Sequence, residues 1–357
     1  MGKFVKLKNM KVVKISQPGQ FDIVEEPMPK PAAGEALLKI KCCGICGSDL
    51  QTYTGNQPFA DYPRIPGHEF SAEIVEINPA EGCATPENSH GLKKGMVVTA
   101  NPYFNCGTCY SCRRGLVNCC ESNQTMGVQR DGSFAEYITM PVERIVPGMG
   151  LSAETLALIE PFSIGYHGVN RGNVAHNDNV LVIGAGPIGL FAAISAKLKG
   201  ANVYVADILD IRLQTALELG VNGVINSKTE DLQVRVKEIT QGCGMNAVVE
   251  CVGQPETFLA AQDAVCFGGS IVLVGNGKRE VTFNQSNIIR KEMNIYGSRN
   301  SLHELAPLIS LVKLTEGSRM DINKMVSKVY DFANVKDAFE ALLNNDGSLA
   351  KVLVRFG

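Results

Sequence analysis

Val180-Leu181-Val182-Ile183-Gly184-Ala185-Gly186-Pro187-Ile188-Gly189 decides how this chain of 357 residues is read. Four apolar residues form a strand buried on both faces, and three glycines at G-x-G-x-x-G spacing turn the chain into a helix that runs to Lys199 and stops at Gly200. Each glycine has a task in that context. Gly184 permits the tight turn, Gly186 lets backbone approach a pyrophosphate, and Gly189 lets the helix pack on the strand. Pro187 and Ile188 open a helix whose free N–H groups favour phosphate. Asp207 ends the next strand (Val203 to Ala206), where a carboxylate takes both ribose hydroxyls of NAD and repels the extra phosphate of NADP. Ile208 and Leu209 offer no cation in its place, so NAD is the cofactor expected. Arg212, on the helix Asp210 to Leu219, either lies beside the adenosine or is an ordinary solvated residue. A glycine-rich turn that binds nothing is the alternative, and strand, spacing and acid together weigh against it.

Outward from this turn, strand and helix keep alternating through Ala247–Val249 and Ser270–Val274, which predicts an α/β fold with a doubly wound parallel sheet of six strands. Val274 at the end of a later strand, Gly275 after it and Ser298 complete the expected cofactor-binding set. Ser270–Val274 reads as an exposed edge strand able to pair across a two-fold axis. From Lys11 to about Pro147 the texture is instead short β runs cut by Pro and Gly, as in a partly open all-β unit. After Ser298 a helix with Ser301 as N-cap and Glu304 at the capping-box position is expected, then a helix near Asn334 to Leu343 and a strand Ala350 to Val354.

Composition narrows the partners. With 45% apolar and 20% charged residues the chain is long enough for two domains with separate cores, and a net charge of −2 supplies no field for nucleic acid or an acidic membrane. Lys3, Lys6, Lys8, Lys11 and Lys14 interrupt the N-terminal apolar residues, so neither an export signal nor a membrane helix is expected and the chain reads as cytoplasmic. Twelve cysteines in a reducing compartment point to metal rather than disulfides. Cys106, Cys109 and Cys112 stand at two-residue gaps, and Cys120 follows. A Cys₄ shell has no open coordination position, so this site is read as structural zinc, with Cys119 an alternative fourth ligand.

Cys42-Cys43-Gly44-Ile45-Cys46-Gly47-Ser48-Asp49 precedes Gly67-His68-Glu69, and Glu160-Pro161 follows at the border of the two textures. Each is weak alone: a lone His after Gly is usually a loop residue, and Cys42 or Cys43 could be buried thiols. Taken with the four-cysteine lobe, Asp131-Gly132-Ser133-Phe134-Ala135-Glu136-Tyr137 and the glycine turn, they resemble the zinc-dependent medium-chain dehydrogenase/reductase family over essentially the whole chain. The resemblance implies a GroES-like catalytic domain (1–165 and 303–357) and a Rossmann NAD-binding domain (166–302). It implies a catalytic zinc held by Cys46, His68 and Glu69, with Glu160 either a fourth ligand or bonded to the metal's water. Glu160 stands where other members carry Cys, which points to the branch of sorbitol, L-threonine and sugar-acid dehydrogenases. Carboxylates in place of thiolate leave a harder zinc, suited to a vicinal diol or hydroxy acid.

The activity implied is hydride transfer from a secondary alcohol to NAD with zinc as Lewis acid. The substrate is a polyol or a sugar acid such as L-galactonate; L-threonine or another secondary alcohol is the alternative, and a non-catalytic NAD-binding relative the more distant one. Ser48 is placed to pass on the substrate's proton, and Glu69 or Glu160 to accept it. Gln51 stands where many relatives have a His, and it cannot titrate. Tyr296-Gly297-Ser298-Arg299-Asn300 resembles the family segment that returns into the cleft. There Arg299 either holds substrate hydroxyls or a carboxylate, or makes a surface ion pair. His167, expected near the start of the helix linking the domains, reads as packing; His90, His176 and His303 read as surface residues. Asn78 to Gly91, longer than in relatives, is expected to be a surface excursion. A homodimer or homotetramer is expected, since relatives are often one or the other.

Overall fold

A computed structural model describes residues 9–79 and 91–357, so most of the expected excursion between Asn78 and Gly91, His90 included, lies outside the described residues. Two sheets organise the rest. One is six-stranded and parallel throughout, in the order Gly223–Asn226, Asn202–Asp207, Asn179–Ile183, Met245–Glu250, Val265–Leu273, Asn294–Gly297. The chain enters in the middle, walks to one edge and then to the other. Strand order therefore reverses between Asn179–Ile183 and Met245–Glu250, which opens a crevice at their carboxyl ends. Val180 and Val182 join the core on one face of this sheet, while Leu181 and Ile183 join Val248 and Ile271 on the other. Burial on both faces is why this strand has no polar partner between its apolar residues.

The second, GroES-like sheet has seven strands. Val326–Asp331, Lys351–Arg355, Glu35–Gly44, Glu69–Asn78, Val97–Ala100 and Ile145–Pro147 follow one another, and Tyr137–Pro141 pairs with Glu35–Gly44 as well. The C-terminal residues thus complete a sheet begun near the start of the chain: Gly44 faces both Glu69 and Leu353 in register. Among the described residues no helix is long and apolar enough to cross a membrane.

A linking helix, Ile159–Arg171, ties the sheets together. Its glycines bring it onto its neighbours at backbone distance: a Cβ on Gly165 would stand 2.5 Å from Ala192 N, one on Gly168 2.8 Å from Val274 Cγ2, and one on Gly172 2.9 Å from Val272 Cγ2. Phe162, buried on the same helix, packs on Phe191 at 5.4 Å between ring centroids. His167 sits beyond the middle of this helix rather than near its start.

Two expectations are corrected here. Ser270–Val274 is not an edge: Val265–Leu273 lies between Met245–Glu250 and Asn294–Gly297, and the sheet edge on that side is Asn294–Gly297. Short strands in one parallel sheet do not announce their spatial order. Ser301 is not an N-cap either, because the helix opens at Leu305 with Glu304 as its N-cap residue. The Glu304 carboxylate accepts from Asn170 Nδ2 at 2.8 Å and lies 3.1 Å from His167 Nδ1, so the linking helix takes the group a capping box would have used.

Because Gly165 has no room for a side chain, Gly165→Val should cost about 1–3 kcal/mol by overpacking. A lower thermal midpoint, with the zinc content of the folded fraction unchanged, would report it.

Candidate active site and metal centres

Strand Glu35–Gly44 ends beside the start of Glu69–Asn78, and the chain then turns at Cys46 into a short helix, Gly47–Thr54. Asp49 in that helix is fully buried and splices two segments together. One carboxylate oxygen accepts from Cys46 N at 2.9 Å and the other from Gly67 N at 2.8 Å. The metal-ligating atoms of Cys46, His68 and Glu69 consequently lie within 4.8 Å of one another. Gly44 is required opposite Glu69, since a Cβ there would collide with its carboxylate. Glu69 is 1% exposed, and its charge is answered by Lys351 Nζ, itself 3% exposed and also 3.3 Å from Ile45 O.

Glu160 opens the linking helix beside this group without joining its tight cluster, and accepts a hydrogen bond from the buried Tyr103 hydroxyl. Burial raises its carboxyl to about 7, Glu69 adding to the effect while His68 opposes it. His68 is held well above the ordinary range for histidine: burial works against its charged form, but Cys46, Asp49 and Glu160 outweigh it. A field that draws a proton to His68 also favours a divalent cation among these donors. Ser48 Oγ and His68 Nδ1 are buried with no hydrogen-bond partner among the described residues, as groups awaiting a ligand would be. Sulfur, imidazole and carboxylate together form a donor set that fits zinc.

The four-cysteine lobe is built from the turn before helix Tyr110–Arg113 and the 3₁₀ turn Val117–Cys119. Sγ atoms of Cys106, Cys109, Cys112 and Cys120 lie within 4.8 Å of one another, whereas Cys119 is exposed and outside the group. Backbone N–H groups of Thr108 and Cys109 lower the Cys106 thiol to about 6, and those of Cys112 and Glu121 lower Cys109. Burial instead raises the Cys112 thiol to about 11, and the four sulfurs gathered here are the donors of a closed tetrahedral shell.

At the glycine turn, Gly184 adopts φ +99°, a Cβ on Gly189 would overlap the Gly184 carbonyl, and Gly186 faces open space. Pro187 and Ile188 begin the helix Pro187–Leu198. Asp207 ends its strand and is 9% exposed; its carboxylate accepts from Ala185 N (2.7 Å), Ile208 N (2.8 Å) and Leu209 N (3.0 Å). Arg212 Nη1 stands 3.9 Å from the same carboxylate, so it belongs to this corner. Across the crevice, Val274 and Gly275 donate backbone N–H to Glu250 O, and Ser298 donates N–H to Leu273 O. Ser298 Oγ is buried with no hydrogen-bond partner among the described residues. Arg299 is exposed, and among the described residues its hydrogen bond is made by its carbonyl, which accepts from Asn118 Nδ2. His167 is buried, while His176 and His303 are exposed.

Sequence reasoning missed four contributors. Lys351 precedes an apolar run and has no local signal, because only the returning tail brings it to Glu69. Tyr103 meets Glu160 across 57 residues. Glu250, 2% exposed, accepts from Val252 N, Gly253 N and Thr257 Oγ1, all at 2.8 Å, and so shapes the loop beside Gly275. Asp49 stood inside a quoted motif, yet its role depends on Gly67.

Comparison with known proteins adds an independent line. Residues 32–150 match the alcohol dehydrogenase GroES-like domain and residues 187–314 the zinc-binding dehydrogenase domain. An L-galactonate-5-dehydrogenase of Escherichia coli K12 is 35% identical over 98% of this chain and 100% of its own length. A sorbitol dehydrogenase of Halalkalibacterium halodurans is 32% identical over 94% of this chain and 96% of its own. Among solved structures, an alcohol dehydrogenase of E. coli CFT073 complexed with NADH superposes with a TM-score of 0.89 at 32% identity, covering 98% of this chain and 99% of that one.

Substitutions at two positions test this geometry. Cys109→Ser should remove one of two zinc equivalents per chain, read by metal analysis, and leave the other in place. Lys351→Met should cost about 3–5 kcal/mol by stranding the buried Glu69 charge, whereas Lys351→Arg should recover part of the loss in a denaturation series.

Proposed function

Because the chain belongs to the zinc-binding dehydrogenase family with an alcohol dehydrogenase GroES-like domain, we propose that it oxidises a secondary alcohol of a polyol or sugar acid, a hexonate such as L-galactonate foremost, with NAD as hydride acceptor. The observation that carries this reading is the pair of buried carboxylates, Glu69 within the donor cluster and Glu160 beside it, where a thiolate-rich site would be softer. Identity to the L-galactonate and sorbitol enzymes supports the substrate class. The relative complexed with NADH and the carboxylate of Asp207 support NAD.

In this reading Cys46, His68 and Glu69 hold the catalytic zinc, Glu160 flanks it as ligand or hydrogen-bond partner, and Cys106, Cys109, Cys112 and Cys120 hold the structural one. The catalytic metal lowers the pKa of the substrate hydroxyl when bound. Ser48 Oγ takes the hydroxyl's proton and hands it outward, and the buried Glu160 carboxylate receives or returns it. Gly184, Gly186, Pro187, Ile188 and Gly189 seat the pyrophosphate, Asp207 and Arg212 the adenosine ribose. Val274, Gly275 and Ser298 border the nicotinamide, and Arg299 reaches the substrate's carboxylate or hydroxyls. The domains divide at 1–165 with 303–357 against 166–302, and the chain works as a homodimer or homotetramer.

Initial rates of NADH formation by zinc-loaded protein over aldonates, hexitols, pentitols, L-threonine and simple alcohols, with NAD and with NADP, test the proposal. One hexonate or polyol oxidised with NAD well above the rest is expected; L-threonine foremost, or turnover with NADP alone, would overturn it. Ser48→Ala should lower kcat by about 10²-fold or more while leaving the Kd for NAD unchanged.

A further inference from the structure

Asn118 belongs to the four-cysteine lobe, between Cys112 and Cys120, yet its bonds lead out of it. Only 6% exposed, its Nδ2 donates to Arg299 O at 3.0 Å and stands 3.3 Å from His167 Nε2. His167 Nδ1 is 3.1 Å from Glu304, and Glu304 in turn accepts from Asn170 Nδ2 at 2.8 Å and from Leu302 N at 3.3 Å. Three separate stretches therefore meet in one run of buried and half-buried polar groups: the lobe, the linking helix and residues 299–304.

Those last residues need holding. Asn300 and His303 both take positive φ, +51° and +58°, a left-handed conformation that Asn and His tolerate better than most side chains but still at some cost. The same segment carries Ser298 and Arg299, proposed above for cofactor and substrate. We propose that the four-cysteine lobe is the fixed point of this returning segment, and that Asn118 is the positioning residue through which it sets the place of Ser298 and Arg299. Structural zinc then acts on substrate binding without touching substrate: it orders the lobe, the lobe orders Asn118, and Asn118 holds the Arg299 carbonyl.

The consequence for substrate affinity rests on the reading of Arg299 as a substrate group; the anchoring itself does not. Asn118→Ala is compared with the parent protein by amide hydrogen exchange, zinc content and steady-state kinetics on the best substrate of the panel above. Expected are two zinc equivalents retained, exchange faster by about tenfold within 298–304 and unchanged in the six-stranded sheet, and KM raised about tenfold with kcat nearly constant. In an Arg299→Ala background the KM effect of Asn118→Ala should vanish, because the two act in series. Should Asn118→Ala lose its structural zinc, His167→Gln reads the same chain from the helix side, and the same local gain in exchange is expected. Unchanged exchange at 298–304, or an equal rise everywhere, would overturn the proposal. Faster local exchange with KM unmoved would uphold the anchor and reject Arg299 as a substrate group.

Discussion

Gly165 and Gly168 in the linking helix and Gly172 at its C-cap permit a close approach that is the constraint on which the site depends. With no side chain at these positions the helix rests directly on the helix Pro187–Leu198 and against Val272 and Val274. That contact fixes the nucleotide-binding sheet relative to the first turn of the same helix, where Glu160 stands beside the other sheet's donor cluster. Dispersion falls off steeply with distance, so a gap opened here would loosen the spacing between hydride donor and acceptor. One rigid element thus sets a distance that neither sheet could set alone.

The buried charges are a second constraint. Cys46, His68, Glu69 and Glu160 concentrate donors in a volume nearly closed to water, with Lys351 the buried cation paired with Glu69. Such a cluster is costly unless a cation completes it. Electrostatics and metal chemistry are therefore one argument in this centre. Without a metal, burial, with Glu69 adding to it, raises the Glu160 carboxyl to about 7.

Much of the nucleotide half was legible from local pattern. Val180 to Gly189 announces strand, turn and helix because each step is a short-range requirement: two buried faces, a positive φ, a close approach. Asp207 was legible for the same reason, lying one strand further on. The four-cysteine lobe could be read because a metal shell demands its ligands at short spacing. The edge of the six-stranded sheet was misread, because strand order is a matter of crossover connections that no strand's own residues encode. Ser301 was misread because the capping pattern at Glu304 is satisfied by a competitor, the linking helix.

By itself, then, the sequence determined what short-range physics determines: the glycine turn, the cysteine lobe, the alternation that makes a parallel sheet, and the residue types able to hold metal and nucleotide. Only the tertiary structure decided which distant groups meet. Lys351 reaches Glu69 across 282 residues and Asn118 reaches Arg299 across 181. Their partners are chosen by the returning tail and the packed helix, and a buried charge or carbonyl accepts whichever complementary group the fold delivers.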